Sequence, residues 1–187
     1  MERKQFLKAS LCLGAFGGVR PALGADEKPT GEKKPAAPPP PNPCAGALGY
    51  AAHWVKDLMD QADVQLTEAQ RKALMEARGR SCAKSGAARR AEPFKGKLDE
   101  FLADLASHMG KDAAQRDGDV VKVSYPRCFC PLVAELKEPL SASYCFCSAG
   151  WLKEVYETVS GKQVTVEILE TVKRGGKLCR FNVKVSA

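Results

Sequence analysis

Apolar side chains recur at helical spacing in two stretches of the N-terminal half, residues 44–62 and 93–108. Between them, the segment from Thr67 to Gln70 matches a capping box, in which two side chains satisfy each other's backbone N–H groups. The box predicts a further helix that ends at Gly79, followed by a basic, Gly-rich loop. We therefore predict three helices in this half of the chain.

The hydrophobic period shortens to two after residue 117, which is typical of β-strands. Residues 120–125 form the first predicted strand. Two more alternating segments, residues 164–172 and 178–185, are joined by Gly175-Gly176, a dipeptide that favours a tight hairpin turn. The C-terminal part of the chain is therefore expected to be antiparallel sheet.

One further helix is predicted between the first strand and the hairpin. Ser148 is a suitable N-cap, an apolar stripe runs from Trp151 to Val159, and Gly161 ends the helix. Residues 131–140 are predicted to form a loop or another short strand. This order of elements indicates an α+β fold, with N-terminal helices packed on a small antiparallel sheet that ends in a C-terminal β-hairpin.

The first 43 residues lack the pattern of a folded domain. Residues 1–25 combine a basic start at Arg3-Lys4, a short apolar run and small residues, which resembles a twin-arginine export signal. That run is too short to span a bilayer, so no transmembrane span is expected after signal removal. Residues 26–43, rich in Pro, Lys and Glu, predict a disordered linker. We expect a periplasmic or otherwise exported protein with one Cys-rich domain at 44–187.

Charge is concentrated in this N-terminal segment. The first 43 residues carry seven Lys/Arg and four Asp/Glu, which leaves +4 of the total net charge of +7 for the domain. No basic stripe is interleaved with aromatic residues there, so the composition argues against a nucleic-acid partner. We expect a small-molecule ligand or a metal ion as partner, and the sequence does not indicate an oligomeric state.

Cysteines are the most distinctive residues of the domain. Cys128 and Cys130 form one Cys-x-Cys pair, and Cys145 and Cys147 form another. Such a pair does not close comfortably on itself, because a disulfide requires a particular separation and direction of the two Cβ atoms. If the pairs converge, their four thiolates suit a tetrahedral zinc site or an iron–sulfur cluster. Cys179 in the hairpin is then a fifth candidate ligand.

An oxidising compartment favours a second interpretation, in which the thiols form disulfides. The candidates for pairing are Cys44, Cys82, Cys128, Cys130, Cys145, Cys147 and Cys179. Because seven is an odd number, at least one of these thiols must be free, metal-bound or paired with another chain. The spacing does not decide between metal and disulfides.

A catalytic thiol is a third interpretation. The candidate nucleophiles are Cys145 and Cys147. Cys147, just before the predicted helix start, would have its thiolate stabilised by the helix N-terminus. The two histidines, His53 and His108, lie far away in the sequence, and no serine elbow, phosphate loop or His-rich metal motif occurs. The residues therefore favour a binding protein, with a hydrolase as the enzymatic alternative.

Several short motifs occur together in a recognisable order. They are Gly79-Arg80-Ser81-Cys82-Ala83, Tyr144-Cys145-x-Cys147-Ser148-x-Gly150-Trp151, Gly161-Lys162-x-Val164, Glu167-x-Leu169-Glu170, Arg174-Gly175-Gly176 and Cys179-Arg180-Phe181. In this order they resemble the small-molecule-binding domain of 4-vinyl reductases and the related 2-amino-thiazoline-4-carboxylate hydrolase-like family.

The resemblance implies an α+β fold whose hairpin forms a pocket over the helices, with the cysteines lining a ligand- or metal-binding end. No catalytic set can be matched residue by residue, so hydrolysis of a small heterocyclic or thio substrate stays an alternative. The expectation from the sequence is an exported binding or sensing domain with a Cys-rich site. A domain held together by disulfides, without a ligand, is the remaining alternative.

Overall fold

The computed structural model describes residues 45–186. The predicted signal at 1–25, the predicted linker at 26–43 and Cys44 lie outside the described residues and stay predictions. The compact unit begins at Ala52, within the first helix. No helix in the described part of the chain is long and apolar enough to cross a membrane.

Five α-helices and four strands make up the described chain. In order they are α1 (Ala45–Gln65), α2 (Glu68–Lys84), α3 (Ala87–Ala91), α4 (Leu98–Met109), β1 (Ala114–Asp117), β2 (Val120–Tyr125), α5 (Phe146–Ser160), β3 (Val164–Glu170) and β4 (Cys179–Val185). Short 3₁₀ turns occur at Glu92–Phe94, Ala142–Cys145 and Val172–Arg174. The predicted α+β class is confirmed.

The four strands form one antiparallel sheet in the order β1-β2-β4-β3. In the β2–β4 ladder, Val121 lies opposite Val183 and Tyr125 lies opposite Cys179. The predicted C-terminal hairpin is therefore present as β3 and β4. Strand β1 was not predicted, because only Ala114 among its four residues is buried, which leaves no apolar alternation to detect.

Helix α5 covers one face of this sheet and forms the main core. Its buried stripe includes Leu152, Tyr156 and Val159, which belong to one cluster with Val121 and Phe181 of the sheet. Burial of this much apolar surface is the dominant stabilising contribution in a domain of this size. The periodic pattern identified these residues correctly.

A second hydrophobic cluster lies outside the sheet. It joins Met59 of α1 and Met75 of α2 to Val133 and Leu136 of the loop that follows β2, and to Tyr144. The loop over residues 131–140, predicted as loop or strand, is thus an ordered, partly buried connection without strand structure. Three cysteines, Cys128, Cys130 and Cys147, pack against this second cluster.

The prediction that α2 ends at Gly79 was wrong. The helix continues to Lys84, and α3 occupies part of the predicted loop. Gly79 serves close packing instead, since a Cβ atom there would lie 1.9 Å from the carbonyl oxygen of Cys147 on α5. Gly150 of α5 also allows close packing, because a Cβ atom there would lie 2.0 Å from the carbonyl oxygen of Glu76 on α2. The two helices touch backbone to backbone at these glycines.

Ion pairs flank this contact. Arg80 of α2 donates to Glu157 of α5 at 2.6 and 2.8 Å and to Glu154 at 3.0 Å. Lys153 of α5 lies 2.5 Å from Glu76 of α2. The hydrogen bond from Arg80 holds the pKa of Glu157 below its usual range. The pairs therefore add electrostatic attraction to a helix contact that the glycines make possible.

Three other boundaries differ from the predictions. Ser148 is not an N-cap, because the 3₁₀ turn at Ala142–Cys145 runs directly into α5 and places Ser148 in its first turn. Helix α4 begins at Leu98 rather than at residue 93, after a separate 3₁₀ turn. Val172 belongs to a 3₁₀ turn between the two strands of the hairpin, because β3 ends at Glu170. The capping box at Thr67 and Gln70 is confirmed.

The glycine contact generates a stability prediction. Gly79→Ala should lower the free energy of unfolding by about 3 kcal/mol, because the added methyl group overlaps a backbone carbonyl that cannot rotate away. Chemical denaturation followed by circular dichroism measures the change. Gly49→Ala is the matched control, because a Cβ there meets nothing within 4 Å and alanine favours a helix by up to about 1 kcal/mol. Equal stability of Gly79→Ala and the unmodified chain would contradict the proposed contact.

Candidate functional site

The end of β2 brings the first cysteine pair to the hairpin. Tyr125, the last residue of β2, is paired with Cys179, the first residue of β4. Cys128 and Cys130 follow within five residues, so the chain has little length in which to move away. Phe129 between them is half exposed and packs edge-on against Tyr125, with ring centroids 5.5 Å apart. The Cys-x-Cys pair therefore lies beside the start of β4, the second strand of the hairpin.

The second pair lies at the beginning of α5. Cys145 is buried at the end of the preceding 3₁₀ turn, and Cys147 is half-buried in the first turn of the helix. The carbonyl group of Cys147 faces Gly79 of α2. Cys82, which is exposed, lies three residues after Gly79 on the same helix. The helix contact thus brings a cysteine of α2 to the cysteines of α5.

Hydroxyl groups hold two of the thiols in place. The Tyr144 hydroxyl oxygen lies 3.1 Å from Cys130 Sγ, so the two groups share a hydrogen bond. The Thr171 hydroxyl donates to Cys145 Sγ at 3.1 Å, and both residues are buried. Each Cys-x-Cys pair therefore has one thiol anchored by a neighbouring side chain.

Burial keeps most of these thiols protonated. It raises the pKa of Cys147 to about 11, and the nearby thiols of Cys130 and Cys82 add to the increase. Burial is also the main cause that raises the pKa of Cys128, Cys145 and Cys179. Thiolates would form here only if something compensated their charge.

Positive charges surround the same thiols. Lys173 is buried, and its ammonium group donates to the carbonyl oxygens of Ala134, at 3.2 Å, and Leu136. Its positive charge opposes the rise in the pKa of Cys128 and Cys179. A buried ammonium held by carbonyls rather than by a carboxylate favours an anion in its surroundings.

Two further cations lie nearby. The guanidinium of Arg174 lies 5.1 Å from the ring centroid of Phe146, in cation–π geometry, and opposes the rise in the pKa of Cys145. The positive charge of Arg78 likewise opposes the rise in the pKa of Cys147. The charges around the thiols are therefore mostly positive, and the exception is Glu170, whose negative charge adds to the rise in the pKa of Cys179.

The structure brings together all five cysteines that the sequence predicted as metal ligands, and adds Cys82. Within residues 45–186, all six cysteines are free thiols and none is paired in a disulfide. As the side chains stand, no group of three or more Cys, His, Asp or Glu residues in this range is arranged to hold a metal ion. The thiols are neighbours without converging on a single point.

The surroundings of Cys145 and Cys147 do not favour a catalytic thiol. Nucleophilic attack requires a thiolate, and the pKa values of both Cys145 and Cys147 are raised. His108 is exposed on α4 and lies 2.9 Å from Ser107 Oγ and from the carbonyl oxygen of Asp104. His53 is exposed on α1. Neither histidine forms a hydrogen bond with a cysteine of the described chain.

Sequence reasoning missed the importance of Thr171 and Lys173. Lys173 stands in a Lys-Arg-Gly-Gly sequence, which is typical of a solvated turn, and only the fold shows that it is buried. Thr171 has no motif around it and is 2% exposed. Tyr144 could have been found, because it directly precedes the second cysteine pair. An open surface groove lined in part by Glu92, Lys95 and Lys162 contains no cysteine.

The fold and the site define an α+β domain with a thiol-rich end. Residues 48–187 match the model of a family of unknown function, DUF6144, and the chain belongs to that family. No curated protein matches the sequence closely enough to serve as a relative.

Three solved structures are similar to the chain. The phenol-responsive sensory domain of the transcription activator PoxR, with phenol, is 14% identical with a TM-score of 0.44, covering 72% of this chain and 74% of its own. A trafficking protein particle complex subunit 3 from Naegleria fowleri, covalently bound to palmitic acid, is 14% identical with a TM-score of 0.48, covering 76% and 96%.

The third structure is a vinyl-4-reductase family protein from Methanocaldococcus jannaschii. It is 15% identical with a TM-score of 0.33, covering 75% of this chain and 82% of its own. This structure belongs to the vinyl-4-reductase family, the family that the sequence motifs resemble.

The raised pKa of Cys147 generates a reactivity prediction. A pKa of about 11 instead of 9.0 leaves roughly a hundredfold less thiolate at neutral pH, so iodoacetamide should modify Cys147 slowly and faster as the pH rises towards 11. Peptide mass spectrometry measures the modification at this one residue. The same residue in the urea-unfolded chain is the control. Equal rates in folded and unfolded chains at pH 7 would contradict the burial of this thiol, and a faster rate in the folded chain would favour a catalytic role.

Proposed function

We propose that this protein is a binding domain that holds a thiophilic metal ion at its cysteine-rich end. The observation that carries the proposal is the gathering of six unpaired thiols from α2, the end of β2, the start of α5 and β4. Unpaired thiols are vulnerable to oxidation, so a cluster of them from separate segments calls for a partner that uses them together. Thiolates are the ligands preferred by Zn(II) and Cu(I).

The surrounding charges support the same proposal. Metal binding replaces neutral thiols with thiolates, and a metal ion with three or four thiolates carries net negative charge. Lys173, Arg174 and Arg78 supply positive charge at this place, and Lys173 does so from a buried position. A purely structural role would leave this buried lysine without a compensating anion.

The other two interpretations are less well supported. A hydrolase with Cys145 or Cys147 as nucleophile would need a thiolate at neutral pH, and burial opposes its formation. A domain held by disulfides would need pairs of sulfurs in bonding geometry, and the six described thiols are separate.

Export is a further proposal, and it rests on the sequence of residues 1–25. Cell fractionation tests it. A chain found only in the cytoplasm would contradict it.

A metal-retention experiment tests the proposal. The full chain, reduced and kept under nitrogen, is incubated with Zn(II) or with Cu(I), desalted and analysed by inductively coupled plasma mass spectrometry. At least one equivalent of one of these ions should remain bound. Cys128→Ser should reduce the amount, because this half-buried thiol lies close to both Cys130 and Cys179.

The matched control is Cys44→Ser, which removes a thiol outside the described residues and should retain the ion in full. Folding of each variant is checked by far-ultraviolet circular dichroism. Retention of neither ion by the folded, reduced chain would overturn the proposal, and so would equal losses from Cys128→Ser and Cys44→Ser.

A further inference from the structure

Residues 131–140, which we call the covering loop, lie over the second hydrophobic cluster. The loop contributes three buried side chains to that cluster, none more than 8% exposed: Val133, Leu136 and Leu140. The charged side chains of the same loop are exposed: Glu135, Lys137 and Glu138. The loop is therefore apolar on the side that faces the cluster and charged on the side that faces water, as expected of a segment that runs over the surface of a domain.

Half-buried thiols lie against the cluster that this loop covers. Cys128, Cys130 and Cys147 all pack against it. The first two adjoin the covering loop in the sequence, whereas Cys147 belongs to the first turn of α5 and reaches the cluster from a distant part of the chain. The burial of Cys147 therefore depends in part on the covering loop staying in place.

Within residues 45–186, every hydrogen bond that joins the covering loop to a distant segment is made by Lys173. Its ammonium group donates to the carbonyl oxygens of Ala134, at 3.2 Å, and Leu136. Its own carbonyl oxygen accepts from the backbone N–H of Leu140 at 3.4 Å. The other backbone hydrogen bonds of the loop stay within it or reach only the adjoining Cys130. One residue of the hairpin thus fastens both the middle and the end of the loop.

The residues beside Lys173 anchor it to the rest of the domain. The Thr171 hydroxyl donates to Cys145 Sγ at 3.1 Å, and Arg174 Nε donates to the carbonyl oxygen of Ala142 at 2.7 Å. Both acceptors lie in the 3₁₀ turn that leads into α5. Lys173 itself is only 6% exposed, so its ammonium group has little access to water and depends on the carbonyl oxygens of the covering loop for its hydrogen bonds.

From these contacts we propose that the covering loop is a lid over Cys147 and the neighbouring thiols, and that Lys173 is the latch that holds the lid closed. The inference rests on the proposed function and concerns its regulation. A metal ion reaches the thiols when the lid is open and is retained when the lid is closed. Pro131 and Pro139, near the two ends of the loop, have no backbone N–H, so neither residue can fasten its end by donating a hydrogen bond.

Alkylation of Cys147 in the reduced, metal-free full chain tests the latch. Lys173→Met keeps the apolar stem and removes the donors, so iodoacetamide should modify Cys147 at least about tenfold faster, the effect of one lost hydrogen bond to a charged group on an opening equilibrium. Peptide mass spectrometry measures the rate at this residue. Lys177→Met is the matched control, because it removes an exposed lysine of the same hairpin, whose side chain forms no hydrogen bond within the described residues. It should leave the rate unchanged.

Hydrogen–deuterium exchange distinguishes opening of the lid from a general loss of stability. In Lys173→Met, the backbone amides of residues 131–140 should exchange faster than in the parent chain, because the loop opens more often. The amides of β2 and α5 should keep the rates of the parent chain. Faster exchange throughout the domain would show that Lys173 supports the whole fold and would overturn its role as a latch.

Release of the bound ion tests the regulation. The full chain is loaded with whichever of Zn(II) or Cu(I) it retains, and the ion is then withdrawn by EDTA or by bathocuproine disulfonate. Lys173→Met should release the ion faster than the parent chain and Lys177→Met. Equal release would overturn the role of the lid in metal retention, and equal alkylation of Cys147 in Lys173→Met and the parent chain would overturn the lid itself. A parent chain that retains neither ion would overturn the proposed function, whereas alkylation would still decide whether Lys173 is a latch.

Discussion

The close approach of α2 and α5 at Gly79 and Gly150 is the constraint on which the rest of the structure depends. Only glycine allows the backbones to touch there, since a Cβ at either position would overlap a carbonyl group of the other helix. The contact fixes α5 over the sheet and at the same time brings Cys82 to Cys147. The main core and the thiol-rich end are therefore positioned by one helix crossing.

The thiol-rich end differs from the core in its electrostatics. The core is apolar throughout, whereas the thiols lie among Lys173, Arg174 and Arg78. Burial favours neutral thiols, and the cations favour thiolates, so these two effects oppose each other. A bound cation would shift this balance towards the thiolates, because it offers their charge a much closer partner. This balance makes the end suited to binding rather than to rapid nucleophilic chemistry.

Sequence patterns predicted the parts of the fold in which one face is apolar. The stripe of α5, the hairpin and the capping box at Thr67 were found because each leaves a local signature. Gly79 was misread as a helix end, because close packing and helix termination both use glycine and only the tertiary contact distinguishes them. The gathering of the thiols and the burial of Lys173 also depend on contacts between distant segments, which periodicity cannot reveal.

The coordination of the bound metal ion tests the central claim most directly. X-ray absorption at the zinc or copper K-edge, on the full chain loaded with whichever ion it retains, reports the identity, number and distance of the neighbouring atoms. The account predicts sulfur neighbours, at about 2.3 Å if the ion is zinc, the length of a zinc–thiolate bond. A metal ion bound through nitrogen or oxygen atoms alone would contradict it.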